Sequence, residues 1–236
     1  MFPKLAKSLI LLFLPLLSFS FAQPSKSISL NFNYILSAFV YPDVISRDRG
    51  LRDFSTEVNG WFGFSAELRH KITEGYLAGL SLEVVNKKVG DFLTRRISNR
   101  LIKIPIEDKY TIYIAELNLF FLAPFSSEKW SVYIGGGVGA YKGNFTKSIV
   151  TARSEVQNSP INLGIQVMSG VGYNLLKNLG IKAELKFRDP IVEVESKFKD
   201  SSISYDGYII QIDPSPFRTR INFDTMTFVL GIAYSF

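Results

Sequence analysis

The last twelve residues, Thr225–Phe236 (TMTFVLGIAYSF), decide the fold. Every second side chain of this stretch is large and apolar: Met226, Phe228, Leu230, Ile232, Tyr234 and Phe236. Small or polar residues such as Thr227, Gly231 and Ser235 stand between them. Alternation with a period of two is typical of a β-strand with one apolar and one polar face. The stretch therefore predicts a strand with an unbroken apolar stripe.

The same alternation recurs seven times upstream. The predicted strands are Ser27–Tyr41, Trp61–Arg69, Tyr76–Val84, Tyr113–Phe121, Trp130–Tyr141, Asn162–Tyr173 and Ile181–Arg188. In the first, Leu36, Ala38 and Val40 are expected on the apolar face. The fourth is the least regular, because Ile112 and Phe120 fall on its polar face. Glycine is concentrated on the polar faces of the fifth and sixth, which indicates a crowded interior rather than bulk water.

The connections predict how these strands are arranged. Those after the second, fourth and sixth strands are short, around residues 72–75, 123–129 and 175–179, and the other four are long. Tight periplasmic turns and long extracellular loops are typical of transmembrane barrels, whose strands need about 10 residues to cross a bilayer. The sequence predicts an all-β, antiparallel up-and-down transmembrane β-barrel of about eight strands.

Aromatic residues at the predicted strand ends agree with this topology. They fall on the apolar face near the periplasmic rim: Tyr76, Phe121, Trp130, Tyr173, Tyr234 and Phe236. Amphipathic aromatic rings are enriched where a bilayer meets water. We therefore expect a periplasmic aromatic rim.

The amino terminus has a different character. Two lysines precede the apolar run 9–17, and the small residues Ser20 and Ala22 follow it. This order is typical of a cleavable secretory signal. We predict a signal peptide over 1–22 and an outer-membrane β-barrel domain over 23–236. An uncleaved anchor helix is the alternative, although Pro15 and a run shorter than about 20 residues weaken it.

Composition restricts the chemistry and the partners. The 236 residues include no cysteine, which excludes disulfides and thiolate metal sites. The formal net charge of +6 favours anionic partners. For an exported barrel these are phosphates of outer-membrane lipid and lipopolysaccharide rather than nucleic acid.

The terminal pattern Phe228-x-Leu230-x-Ile232-x-Tyr234-x-Phe236 resembles the carboxy-terminal signal of outer-membrane proteins, which the barrel-assembly machinery recognises. The mature chain is similar to the small eight-stranded barrels of Gram-negative bacteria, a group that includes the membrane domain of outer membrane protein A, the opacity proteins and related porin-family barrels. The resemblance implies an outer-membrane location and an assembly-signal role for these five residues. It carries no other functional motif. The rival fold is a secreted lipocalin, whose strands turn their apolar face inward. The glycines on the polar strand faces and the aromatic residues at the rim of this chain count against that fold.

Charged residues recur on the polar faces. Those expected in the lumen are Glu67, Arg69, Glu83, Glu116, Lys182, Glu184, Lys186 and Arg188. Side chains fill the interior of so narrow a barrel, and an unpaired buried ion is very costly. We therefore expect acids on the second to fourth strands to pair across the lumen with bases on the seventh. The result is either a plug or a gated ion path.

Catalysis has little support in the sequence. Enzymatic barrels of this membrane need a histidine beside a serine or aspartate, and the single histidine here, His70, has no such pattern around it. Glu193 and Glu195 could bind Ca²⁺ or act as acid and base, but solvated charge on a loop extension is the commoner explanation for such residues. We predict no catalytic residue, no metal and no cofactor.

The predicted second extracellular loop, residues 86–108, is basic. Its cations are Lys87, Lys88, Arg95, Arg96, Arg100 and Lys103. Such a patch suits lipopolysaccharide phosphates, although a merely solvated loop is the favoured interpretation.

These observations lead to one functional expectation and three alternatives. We expect a monomeric, non-enzymatic surface barrel with four extracellular loops, an unknown loop ligand and a charge-plugged lumen. The alternatives are a narrow channel for small solutes, an accessory subunit of an envelope or secretion complex, and a lipid A-modifying enzyme.

Overall fold

The structure, a computed structural model, describes residues 25–97, 100–127 and 129–236. The predicted signal peptide lies outside the described residues. The elements are β1 (Lys26–Tyr41), α1 (Arg49–Arg52), β2 (Thr56–Thr73), β3 (Tyr76–Ile97), β4 (Arg100–Leu122), β5 (Trp130–Ile149), β6 (Ala152–Asn158), β7 (Asn162–Asn174), β8 (Leu179–Arg188), β9 (Ile191–Phe198), β10 (Ser202–Tyr205), β11 (Tyr208–Gln211), β12 (Phe217–Asn222) and β13 (Thr225–Ser235). Within the described part of the chain, no helix has the length and apolarity to cross a membrane.

Eight strands form a closed antiparallel barrel. Their order is β1-β2-β3-β4-β5-β7-β8-β13, and β13 pairs with β1 to close the ring. At the seam of closure Lys26 and Phe236 exchange backbone hydrogen bonds of 2.8 and 3.2 Å. Short connections follow β2, β4 and β7, as predicted. The prediction of an up-and-down eight-stranded barrel is confirmed, and we call this part the membrane barrel.

A second layer of strands stands on the membrane barrel. β1 to β5 extend beyond it, while β6, β9 and β12 continue the wall above β7, β8 and β13. The pairing order of this layer is β1-β2-β3-β4-β5-β6-β9-β12, and β12 returns to β1. We call it the extracellular head. Much of the chain expected as long loops is therefore β-structure, and within the described ranges only residues 42–55, which include α1, form a long connection without strands.

The inward faces of the two layers have opposite character, polar in the membrane barrel and apolar in the head. In the membrane barrel the apolar stripes face outward, as with Leu30 (69% exposed) and Leu163 (81% exposed). In the head, Val192 and Val194 of β9 are fully buried while Glu193 between them faces outward. Apolar side chains point toward lipid in one layer and away from water in the other. The change marks the outer boundary of the membrane.

One sequence prediction about β1 is wrong. Ala38 and Val40 are buried in the head, although alternation placed them outward with Leu36. The side-chain parity changes beside Gly60, whose φ is +68°. β1 and β2 change parity together, because Ile35 pairs with Trp61 and both point inward, as do Ala38 and its partner Val58.

Candidate functional site

Four charged residues form a cluster in the periplasmic half of the lumen, the lower ion cluster: Glu67, Arg69, Lys182 and Glu184. The Arg69 guanidinium lies 2.8 Å from Glu67 Oε2 and also binds Glu184. Lys182 binds Glu67 and lies 3.2 Å from Glu184 Oε1. The Tyr133 hydroxyl donates to Glu184 at 2.6 Å. Two acids and two bases leave this buried cluster neutral.

The upper ion cluster lies above it and consists of Glu83, Glu116, Lys186 and Arg188. Lys186 Nζ is 2.7 Å from Glu116 Oε2, and Arg188 Nε is 3.1 Å from Glu116 Oε1. Arg188 also binds Glu83. The Tyr141 hydroxyl is 3.3 Å from Glu116. All eight predicted luminal charges thus lie in two neutral clusters, and each acid of β2, β3 and β4 contacts a base of β8.

Large side chains fill the space around the lower ion cluster. The Arg69 guanidinium carbon lies 3.9 Å from the centre of the Phe120 ring and 4.7 Å from that of Tyr133. The Tyr133 ring occupies the space left by the missing side chain of Gly170, because a Cβ on this glycine would lie 2.7 Å from ring carbons. Crowding of the lumen therefore explains a glycine that the sequence places on a polar strand face.

An aromatic layer closes the interior above the upper ion cluster. Its members are Trp61, Tyr110, Phe145, Phe217 and Phe223. Trp61 contacts Tyr110 and Phe223 with ring centres 5.3 and 5.1 Å apart, and the stacked rings of Tyr110 and Phe145 are 4.8 Å apart. The Trp61 indole donates to the Val58 carbonyl at 2.7 Å. This layer was not predicted, although the alternation of Phe217, Ile221 and Phe223 with polar residues along β12 and directly after it carries part of its signal.

A hairpin covers the top of the head. β10 and β11 are joined at Asp206 and Gly207, both with positive φ, which a tight hairpin turn of this type requires. Ile203 and Ile210 of the hairpin are buried against Ile104 of β4. The part of the predicted fourth loop between β9 and β12 therefore forms an apolar cap.

The wall of the head has an interrupted strand ladder beside residues 142–147 of β5, which we call the seam. β7 pairs with β5 up to Tyr141 and β6 pairs only with residues 148 and 149, so the backbone of the seam has no strand ladder on that side. Hydroxyl groups replace part of it: Ser159 donates to the Gly143 carbonyl at 2.6 Å, and Ser196 to the Phe145 carbonyl at 3.3 Å. Side chains, rather than a backbone ladder, close this part of the wall.

The predicted rim aromatics form pairs on neighbouring strands. Ring centres are 5.4 Å apart for Tyr76 and Phe121 and 4.6 Å apart for Trp130 and Tyr173. In the predicted assembly signal, Phe228, Leu230, Ile232 and Tyr234 are exposed outward on β13. Phe236 stacks on Tyr234 with centres 6.4 Å apart.

The predicted basic loop is the upper half of the β3–β4 hairpin, and its cations diverge. Lys87 turns toward the wall, where its ammonium donates to the carbonyls of Asn59 and Gly60. Lys88, Arg96 and Lys103 lie on the outer face, and Arg95 and Arg100 lie on the opposite face near the tip. The six cations therefore do not form a single surface.

The remaining candidates lie apart from the lumen. His70 is exposed at the periplasmic rim, with Nδ1 3.2 Å from the Ser25 carbonyl oxygen. Glu193 and Glu195 lie on β9 and pair with Arg220 at 2.8 Å and Arg218 at 3.0 Å.

The described residues contain no group of acidic or histidine side chains arranged to hold a metal. Directly after β9, hydrogen bonding to Glu155 raises the pKa of the exposed Lys199 ammonium.

No protein-family model matches the chain, and no curated protein matches its sequence. Several solved structures match the fold of the chain. The outer membrane protein OprG from Pseudomonas aeruginosa is 12% identical, with 91% of this chain and 97% of that chain covered and a TM-score of 0.59. Ail, the attachment invasion locus protein of Yersinia pestis, is 15% identical, with 91% and 100% covered and a TM-score of 0.47. Neisserial surface protein A is 10% identical, with 90% and 97% covered and a TM-score of 0.49.

The likeness to OprG shows the fold of a small outer-membrane barrel. The exterior agrees, because the apolar belt of the membrane barrel is stable only against lipid, and its backbone groups are paired within a closed ring. The chain is an integral outer-membrane β-barrel.

Proposed function

We propose that this protein is a closed, non-enzymatic barrel that anchors its extracellular head in the outer membrane, so that its task lies at the cell surface. The support is the filled interior. The two neutral ion clusters occupy the lumen, and the aromatic layer lies above them. A solute on this path would have to separate buried ion pairs and then cross an apolar layer.

The energetics favour closure. Removing one partner of a buried ion pair costs about 3–5 kcal/mol, because the other charge is left without compensation. An ion that displaces Lys186 from Glu116 meets the same penalty unless it replaces every lost contact. Because two such clusters lie one above the other in the lumen, spontaneous opening of the lumen is rare.

Planar-bilayer recordings test the proposal. Folded protein, verified by its heat-modifiable gel shift, should give no discrete current steps, and neither should the control Lys177→Gln in an exposed periplasmic turn. Steps in the wild-type protein that disappear in Lys186→Met would instead establish a channel through the upper ion cluster.

The seam favours a second candidate function, passage of small apolar solutes between the head interior and the lipid. The route would leave the ion clusters closed and would part β5 from β6 and β9. The wall there is held by hydroxyl groups and by close packing, since a Cβ on Gly143 would lie 2.6 Å from Val194 Cγ2.

A cross-link separates the two candidates. The chain has no cysteine, so Gly143→Cys with Val194→Cys introduces a single thiol pair across the seam. If the seam opens, oxidation should slow uptake of an apolar fluorescent probe into proteoliposomes, and a reductant should restore it. Wild-type uptake equal to that of empty vesicles would eliminate this candidate.

A further inference from the structure

The outer wall of β4 and β5 carries an apolar groove. Ala115 and Ala140 are direct cross-strand partners and face outward. Leu82 and Leu163 flank them in the same row of the sheet. The two small side chains leave a depression of about 400 Å³ that is lined by Leu82, Tyr113, Ala115, Ala140 and Ile161, with Lys142 at its upper edge. An apolar depression on a lipid-facing wall suits an acyl chain.

Cations lie directly above this groove. Lys142 pairs with Tyr113 across the sheet, and Lys88 stands opposite Lys109. The Lys88 ammonium is 2.8 Å from Glu107. Among the residues that the structure describes, Lys109 and Lys142 have no carboxylate within 4.0 Å. Lys109 therefore faces a like charge across the sheet, an unfavourable pairing that an anion at this position would relieve.

These lysines lie at the outer boundary of the membrane. On β3 the outward residues change from Val84 to Asn86, and on β4 from Tyr113 to Thr111, just before the lysines. The same boundary is marked by exposed Asp189 after β8 and Asp224 before β13, on the opposite wall. The cationic surface therefore lies on one side of the barrel, at the depth of lipid headgroups.

We propose that this wall binds one phosphorylated, acylated lipid of the outer leaflet, with an acyl chain over Ala115 and Ala140 and its phosphate at Lys109 and Lys142. In a Gram-negative outer membrane the lipid with this chemistry is lipopolysaccharide. Charge complementarity and the groove select the occupant together. The site extends the proposed function, because it names a lipid partner for the part of the wall where the membrane barrel meets the head. It depends on the outer-membrane location and not on a closed lumen, so conductance measurements and lipid binding can fail independently.

Native mass spectrometry of the folded protein in detergent micelles tests the site, with diphosphoryl lipid A as the probe. The double variant Lys109→Gln/Lys142→Gln removes the phosphate contacts. Ala140→Leu fills the groove with an apolar side chain on a lipid-facing position, so folding should be unaffected. Lys71→Gln/Lys177→Gln makes the same change in net charge at exposed periplasmic positions. Each variant is accepted only if it shows the heat-modifiable gel shift.

We expect the lysine variant to bind lipid A more than tenfold more weakly, since each surface lysine contributes about a fivefold gain in affinity. Ala140→Leu should weaken binding several-fold, and the periplasmic variant should bind like the wild type. Equal loss in the periplasmic variant would overturn the proposal in favour of general charge attraction. Full binding by Ala140→Leu, or displacement of lipid A by an equal concentration of inorganic phosphate, would overturn it in favour of a site for phosphate alone.

Discussion

At the scale of single residues, Glu116 connects both bases of the upper ion cluster. Its two carboxylate oxygens bind Lys186 and Arg188. Glu116→Gln leaves these two cations with Glu83 alone, so the buried cluster gains a net positive charge. We expect the free energy of unfolding to fall by about 3–5 kcal/mol. Urea unfolding in detergent micelles, followed by tryptophan fluorescence, measures the change.

The matched control removes a charge of each sign. In Glu116→Gln/Lys186→Gln the remaining Glu83 and Arg188 still pair, and the cluster is neutral again. This double variant should be more stable than Glu116→Gln alone. Equal or lower stability of the double variant would show that neutrality of the cluster contributes little.

Gly170 tests the crowding of the lumen. In Gly170→Ala the new methyl group would lie 2.7 Å from the Tyr133 ring, which must move and lose its hydrogen bond to Glu184. Overpacking of this kind costs about 1–3 kcal/mol. Gly90→Ala is the control, because no heavy atom lies within 4 Å of a Cβ there. The same unfolding assay should separate the two variants, and equal effects would contradict tight packing around Tyr133.

At the scale of elements, alternation predicted which segments form the membrane strands and which charges point into the lumen. Glu67 and Arg69 alternate with apolar residues, so their direction follows from local pattern alone. Which base each acid meets depends on the stagger of β8 against β2, β3 and β4, a property of the whole barrel. The sequence therefore predicted the members of the ion clusters but not their pairs.

The head was not predicted from the sequence, because alternation in its strands places the apolar face inward rather than outward. Val192 and Val194 alternate with Glu193 and Glu195 just as membrane strands do, but in water the apolar face turns inward. The parity change of β1 escaped detection for another reason. It depends on the positive φ of Gly60 on the neighbouring strand, which no pattern within β1 records.

β9 provides a test of this inverted burial. Val194→Asp places a carboxylate in the apolar core of the head, where it has no partner, so we expect the head to loosen while the membrane barrel stays folded. Proteinase treatment of intact cells should then cleave between β9 and β12, with the heat-modifiable gel shift of the barrel retained.

Glu195→Gln is the control for β9, because it alters only an outward ion pair with Arg218, worth at most about 1 kcal/mol. It should resist the protease like the wild type. Loss of the gel shift in Val194→Asp would show instead that the head and the membrane barrel fold as one unit.

At the scale of the whole molecule, one chain folds in two solvents. The membrane barrel turns apolar side chains to lipid and encloses charges, whereas the head turns charges to water and encloses aromatic rings. β1 to β5 run through both layers, so the head is held rigidly on the barrel. The β1–β13 ladder closes this assembly, and Phe236 extends it by exchanging backbone hydrogen bonds with Lys26.

We expect deletion of Phe236 to reduce assembly of the barrel in cells more than it reduces the stability of the folded protein in vitro. The deletion removes one stacked ring and the hydrogen bonds to Lys26, a loss that refolded protein in detergent should tolerate with a modest drop in the urea midpoint. In cells, the resemblance to the outer-membrane assembly signal implies a much larger loss of folded protein from the outer membrane. Trp130→Ala removes another rim ring outside that signal and should reach the membrane at nearly the wild-type level. If both variants accumulate equally, Phe236 acts as an ordinary rim aromatic and the signal does not depend on it.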